Sequence, residues 1–264
     1  MDGRHRDAPA FADSGELSTT AWLTVGKGTC DRAIPRSASS TGRYSARVGI
    51  EAVLFDMDGT LVDTDEHWHA AEVETFDHYG VTWTDQDHAA LLGVPVVPAT
   101  AYMLEKLCGG ATFEDVSTRM MDNLIARLHA NDIAWRPGAM ELLDRLQRAG
   151  IVTALVTASK MPLVEGVFHD VHALGFDTVV TGDDVAVTKP DPAPYLLALQ
   201  RLGLTAGQAV ACEDSKTGVR AARSAGLTVV AIPHLVPLEP EPGVVTVAGL
   251  DEVDLPFLHD LVSR

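Results

Sequence analysis

Three observations predict an α/β fold, a parallel sheet whose crossovers are helices. A short apolar run, Ala52-Val53-Leu54-Phe55, passes abruptly into a polar loop. Beyond Gly150, short apolar runs alternate with helical patterns, the order that gives a parallel sheet with right-handed crossovers. Between these regions, residues from about 65 to 134 are rich in Ala, Leu, Met, Glu and His and carry few strand signals, so a helical segment follows the first strand.

Residues 1–47 show no sustained period of 3.6 or 2 and include runs such as Ser37-Ala38-Ser39-Ser40-Thr41-Gly42. They read as a disordered extension. Asp2, Asp7, Asp13 and Glu16 argue against a transit peptide, and a natural start near Val48 is the other reading. No basic patch precedes an apolar stretch, so no secretory signal is expected. Ala52–Phe55 then reads as a strand buried on both faces. After the helical segment, Arg136-Pro137-Gly138 opens a helix with Pro137 near its first turn. Leu142, Leu143 and Leu146 form its buried stripe, and Gly150 closes it. The pattern continues as strand Val152–Val156, a helix over about 161–173, strand Thr178–Thr181, helix Ala193–Leu202 and strand Ala209–Cys212. Helix Lys216–Ala225, ended by Gly226, and strand Thr228–Ile232 complete it.

Composition narrows the function. Of 264 residues, 46% are hydrophobic, enough for a sizeable core. The formal charge is −17. Residues 1–47 hold seven Lys/Arg against five Asp/Glu, a net of +2; the other 217 residues hold thirteen against thirty-two, a net of −19. Such a body repels nucleic acid and anionic membrane, and no apolar run approaches the roughly 20 residues of a membrane span. The three cysteines, Cys30, Cys108 and Cys212, are odd in number and lack metal-ligand spacing, which favours a reducing, cytoplasmic setting. The expected state is a monomer or weak dimer.

In parallel sheets, ligands sit beyond the carboxyl ends of the strands. There the sequence places Asp56 and Asp58, then Thr157-Ala158-Ser159-Lys160, then Thr188-Lys189-Pro190-Asp191-Pro192, then Glu213 and Asp214. Each alone has an ordinary explanation as a turn, a cap or a surface charge. Together they gather carboxylates, a hydroxyl and an ammonium on one rim. Crowded acids raise one another's pKa unless a cation compensates, and hard oxygen donors suit Mg²⁺. A metal on Asp56 and Asp214 would orient a phosphate for attack by Asp56. Thr157 would bond a phosphoryl oxygen, Lys189 would add charge and hold Asp56, and Asp58 would protonate the leaving oxygen and later activate water. Thr157, Ala158, Ser159 and Lys189 are the expected phosphate-binding residues.

These motifs, in this order, resemble the haloacid dehalogenase superfamily: Asp-x-Asp-Gly-Thr at Asp56–Thr60, a hydroxyl residue at Thr157, Lys189, and the acidic pair Glu213-Asp214. The resemblance covers about Glu51 to Leu261. It implies a Rossmann-like core, residues 48–64 and 135–264, and a helical cap, residues 65–134, that closes over the site. It also implies that the Asp58 main-chain carbonyl joins Asp56 and Asp214 on the metal, with Glu213 helping. The branch containing β-phosphoglucomutase and sugar-phosphate phosphatases fits best, through Leu61–Glu66, Lys189–Pro192 and Glu213–Gly218. Gly218 would let its helix approach the core closely.

Asp58 separates the reactions, because dehalogenases of this superfamily lack an acid there and the P-type pumps carry Thr. A phosphonate hydrolase would need a cap lysine, but no Lys or Arg occurs between Val48 and Glu105. The matching cap loop, Leu92-Gly93-Val94-Pro95-Val96-Val97-Pro98, is apolar and uncharged. That favours a phosphatase acting on a monophosphate with a neutral or weakly polar leaving group. A phosphosugar mutase, drawing charge from Arg119 and Arg127, is the alternative. A non-catalytic binding protein would need a catalytic residue to be missing, and none is. His67 and Trp68 lie where the chain enters the cap and are candidate contacts to the leaving group; cap packing, with Trp68 buried and the histidines at the rim, is the competing reading. His78 and His88 read as exposed cap histidines, and Cys212 as core.

Overall fold

Strand β1 (Ala52–Phe55) forms where the apolar run predicts it, with all four side chains fully buried. Side chains alternate across a strand, so Val53 and Phe55 enter one apolar layer while Ala52 and Leu54 enter the other. A polar residue anywhere in this run would be buried without a partner. The computed structural model describes residues 49–94 and 96–262; the extension expected at residues 1–47 lies outside the described residues.

Two short strands, β2 (Val62–Asp63) and β3 (Ala134–Trp135), pair antiparallel and bracket the helical insert. Between them run α1 (Asp65–His78), α2 (Asp85–Leu91), α3 (Val96–Lys106) and α4 (Phe113–Ala130). Thr84 and Thr112 start α2 and α4 with capping boxes closed by Asp87 and Asp115. Each box satisfies amide groups that the first helical turn leaves unpaired. α1 buries polar side chains as well as apolar ones, and these are paired inside the insert. The Trp83 indole donates to Glu72 (2.9 Å), Thr75 to the Ala71 carbonyl (2.7 Å), and Asn123 to Thr75 (3.1 Å).

The rest of the chain is α5 (Ala139–Ala149), β4 (Val152–Val156), α6 (Met161–Phe168), β5 (Thr178–Val180), α7 (Ala193–Leu202), β6 (Ala209–Glu213), α8 (Lys216–Ser224), β7 (Thr228–Ala231), β8 (Val244–Thr246) and α9 (Leu255–Val262). The sheet runs β5-β4-β1-β6-β7-β8, every pair parallel. Strand order therefore reverses beside β1, the switch point where such sheets open a crevice.

Several details differ from the sequence expectation: β2 and β3 were not expected, and β6 runs one residue further than Cys212, to Glu213. Pro137 precedes α5 rather than sitting in its first turn, because Gly138 is the residue that leads into the helix. The helix expected over 161–173 stops at Phe168. His169 turns left-handed (φ 55°), and the Asp170 carboxylate accepts from the His172 and Ala173 amides to cap a separate 3₁₀ turn, Val171–Leu174. A side-chain acceptor of this kind competes with helix continuation. The edge strand β8 and helix α9 were not expected. β8 has three residues and follows a proline-rich stretch, too short for a period to register.

Candidate active site

Register brings the chemistry together. Phe55 is level with Leu155 of β4 and Cys212 of β6. The next residue along, Asp56, therefore emerges between Val156 and Glu213, and its amide donates to the Cys212 carbonyl at 3.0 Å. Lys189, from the loop before α7, reaches this point fully inserted. Its Nζ donates to Asp56 Oδ1 (2.5 Å), Glu213 Oε1 (2.6 Å) and the Val156 carbonyl (2.8 Å). All three ammonium protons are thus used. The Tyr195 hydroxyl, on α7, also donates to Glu213 Oε1 at 2.6 Å, and Lys189 Nζ lies 5.2 Å from the Tyr195 ring centroid.

Two glycines make room for the acids. At Gly59 (φ 80°) a Cβ would run into the Asp214 carboxylate, and at Gly218 it would run into the Glu213 carboxylate. Gly218 is therefore demanded by the site and is not merely tolerated in α8. Ser215 caps α8 by accepting from the Gly218 amide (3.1 Å), which holds the start of that helix against Glu213.

The electrostatics are unbalanced. Asp56, Glu213 and Asp214 can each present an oxygen within 4.8 Å of the other two. Among the described residues, Lys189 is the only cation bonded to any of them. Burial would lower the Lys189 pKa, but Asp56 and Glu213 outweigh it and raise it. Burial pushes Glu213 up, and Asp56 adds to this, against the pull of Lys189. Burial likewise raises Asp214 well above the ordinary carboxylate value, reinforced by Asp56 and Glu213. A surplus of carboxylate charge on hard oxygens in so small a space fits a divalent cation such as Mg²⁺.

Asp58 stands apart from this group. Thr64 donates to its Oδ1 (2.7 Å) and Ser159 to its Oδ2 (2.9 Å), so its side chain joins the start of the insert to the loop after β4. Desolvation and the nearby Asp56 raise its pKa, while the two hydroxyls oppose them. Its carboxylate is not one of the three gathered oxygens. Thr157 is buried at the end of β4, where its hydroxyl accepts from the Ser159 amide (3.0 Å), and Ala158 is exposed in the same loop.

The model for haloacid dehalogenase-like hydrolases matches residues 53–232, which begin within β1 and take in the insert and every strand end just described. The chain belongs to this family. Protein CbbY of Cereibacter sphaeroides is 35% identical over 195 residues, covering 70% of this chain and 84% of that protein. The phosphorylated carbohydrates phosphatase of Thermotoga maritima is 34% identical over 179 residues, 67% of this chain and 82% of that protein. Among solved structures, a CbbY variant from Rhodobacter sphaeroides in complex with xylulose-(1,5)bisphosphate superposes with a TM-score of 0.68. It is 32% identical, and the match covers 80% of this chain and 99% of that one.

Within this haloacid dehalogenase-like frame, Asp56, Lys189, Glu213 and Asp214 meet, and Asp58, Thr157 and Ser159 line the adjoining loop. His67 and Trp68 do not join them through any hydrogen bond among the described residues. The depths are the reverse of the packing expectation: His67 is buried with its Nε2 3.7 Å from Glu66 Oε1, and Trp68 is half-buried against the apolar cluster. His88 is not an exposed histidine. Its Nδ1 lies 2.7 Å from Glu72 and its Nε2 3.1 Å from Asp65, and its ring stacks on His69 at 4.5 Å. Tyr195 and Thr64 were missed. The one trace of Tyr195 in the sequence is a phenol within the apolar stripe of α7; Thr64 reads simply as a helix start.

Proposed function

We propose that this enzyme is a Mg²⁺-dependent phosphatase that hydrolyses a small phosphate monoester through an aspartyl-phosphate on Asp56. The observation that carries the reading is the meeting of Asp56, Glu213 and Asp214 around the single ammonium of Lys189 at the switch point of the sheet. Asp56, Glu213 and Asp214 would hold the metal, with the Asp58 main-chain carbonyl beside them. The ion, when bound, neutralises the phosphate and its surrounding acids.

The chain's own residues do the rest. Lys189 fixes one oxygen of Asp56 and leaves the other to attack phosphorus. The new O–P bond forms as the ester P–O bond breaks, and protonated Asp58 gives its proton to the departing oxygen. Asp58, now ionised, takes a proton from water. That water attacks phosphorus, releasing inorganic phosphate and regenerating Asp56. Thr157, with its hydroxyl oxygen occupied by the Ser159 amide, has its hydroxyl hydrogen to offer a phosphoryl oxygen, and Ala158 and Ser159 form the loop around it. Little beyond positioning and charge is required of a phosphoryl-transfer site.

α1–α4 are proposed to form the cap, residues 65–134, and to select the leaving group. That segment holds twelve Asp/Glu and three Lys/Arg. Two of the three cations are already engaged within it: Arg127 with Glu74 (2.7 Å) and Lys106 with Asp87. The cap tip exposes Val94, Val96 and Val97. A second phosphate finds little to bind there, so a monophosphate of a sugar or similar metabolite is favoured over the bisphosphate chemistry of a mutase. His67 and Trp68 are retained as candidate contacts at the mouth. We place the enzyme in a reducing cytoplasm, as a monomer or weak dimer.

The deciding experiment is phosphate release from a panel of phosphorylated metabolites, with and without Mg²⁺. Turnover restored by Mg²⁺ and abolished by chelator is expected; full activity in excess chelator would sink the mechanism. With β-glucose 1-phosphate and catalytic β-glucose 1,6-bisphosphate, little glucose 6-phosphate is expected. Its rapid formation without phosphate release would make the enzyme a mutase.

A further inference from the structure

Helix α8 carries a second charged surface that shares no residue with the acidic site. Lys216, Arg220 and Arg223 recur one helical turn apart and are all exposed. They line a groove of about 530 Å³ between α8 and the segment around Leu238–Val244, whose apolar lining is Val219, Leu238 and Val244. Like charges at such spacing repel one another, and α8 contains no Asp or Glu to offset them. Lys216 also sits at the helix N-terminus, the end that disfavours cations.

The chain holds 37 acids and 20 basic residues, so carboxylate partners for its cations are plentiful. Lys106, Arg127, Arg148, Lys189, Arg201 and Arg223 each have one within ion-pair distance. Among the described residues, Arg119, Arg136, Arg145, Lys216 and Arg220 have no carboxylate at that distance, and of these Lys216 and Arg220 line one groove together. Arg223 is tied to Glu241 across the groove, which closes that end with an ion pair. The open end therefore presents two uncompensated cations beside an apolar wall.

We propose that this groove binds a small phosphorylated metabolite, with its phosphate against Lys216 and Arg220 and its carbon skeleton on Val219, Leu238 and Val244. Arg supplies a planar fork of donors and Lys a mobile point charge, a pairing suited to a phosphate dianion. Glu239 and Glu241 on the groove lining would turn away larger polyanions.

The test uses the full chain in chelator, where the uncompensated carboxylates of the acidic site repel anions. Inorganic phosphate and glucose 6-phosphate are titrated separately by calorimetry and amide NMR. Saturable binding of one molecule per chain is expected, with shifts concentrated in residues 216–224 and 238–244. Lys216→Gln/Arg220→Gln should weaken both probes at least about tenfold, the scale of one lost charged hydrogen bond. Leu238→Trp fills the groove but keeps the cations; it should weaken glucose 6-phosphate and spare inorganic phosphate. This variant decides the matter if the double variant does not fold. Absence of binding, shifts confined to the acidic site, or unchanged affinity for both probes in these variants would overturn the proposal. Loss of turnover in the same variants without loss of binding would overturn it equally.

Discussion

At the carboxyl ends of β1 and β6, three carboxylates crowd around one ammonium, whereas in the helical insert Lys106 and Arg127 are each matched to a carboxylate of their own, Asp87 and Glu74. The rim's ion pairs are also the drier ones: Lys189, Asp56 and Glu213 are all buried, whereas Lys106, Arg127 and Glu74 are partly exposed. Balanced pairs stabilise an element and ask for nothing more. An unbalanced buried cluster is costly unless something binds to it. The difference teaches that the insert is built as a stable body with an apolar tip, while the rim carries the imbalance on which the proposed function rests, a place for a cation and the anion it neutralises.

The comparison breaks most completely at Asp56. Asp56→Asn keeps the shape, removes the proposed nucleophile and weakens a proposed metal ligand. Turnover should fall to background, and rapid quench with labelled substrate should trap no phosphoenzyme. A hydroxylamine-sensitive phosphoenzyme in this variant would mean that the nucleophile is misassigned, with Asp58 the nearest candidate.

Asp58 comes next, because it belongs to the rim in sequence but bonds to Thr64 and Ser159 rather than to the acidic group. Asp58→Asn should lose about 10²–10⁴-fold in turnover, the range of general acid–base help. With an aryl phosphate, whose leaving group needs little protonation, the first step should partly survive and the aspartyl-phosphate should accumulate. Equal loss on aryl and alkyl phosphates would deny it the acid–base role.

Gly218→Ala sharpens the comparison from within α8. The added Cβ meets Glu213, so the carboxylate must shift. Mg²⁺ affinity, read from the metal dependence of turnover and of the melting temperature, should fall by about 10–100-fold, as when other supporting residues of metal sites are changed. An unaltered metal dependence would show that Glu213 does not support the ion.

The smallest effect is expected in the insert. Burial would raise the Asp87 pKa, but bonds from Lys106, Thr84 and Tyr102 outweigh it and hold the carboxyl well below its ordinary value of 3.8. A depressed pKa contributes stability that is present above the unfolded value and is lost as pH falls through the folded one. Asp87→Asn should cost about 1–3 kcal/mol near neutrality, and the gap to the parent protein should shrink below about pH 4, where Asp87 of the unfolded parent takes up a proton that the folded protein still excludes. Thermal melts of both proteins across that range check the sign. Turnover at saturating substrate should barely move.

Much of the candidate rim was legible because its signals are local. An apolar run ending in Asp56-Met57-Asp58-Gly59-Thr60 announces both a buried strand and the polar loop after it. Thr157 and Asp214 likewise follow their strands directly, Glu213 is the last residue of β6, and Lys189 lies in the loop before α7. The insert was legible as helical for the same reason, since its composition needs no partner to be read. His88 and His67 were misjudged because burial of a polar side chain depends on what packs over it. Glu72 and Asp65 cover His88 from a different helix. β2, β3 and β8 escaped notice because two or three residues carry no period.

By itself the sequence determined which groups stand at the strand ends, since a fully apolar strand can only be followed by its polar loop. The tertiary structure decided which strands are neighbours, and with that which groups meet. Lys189 reaches Asp56 across 133 residues of chain, and Thr60 faces Asp214 across 154. Tyr195 became the second donor to Glu213, and Gly218 became obligatory, only once α7 and α8 were laid against β6. Local pattern fixes strands and helices through backbone geometry. Sheet order and the depth of a side chain come from burying apolar faces against distant ones, and no short window of sequence contains that information.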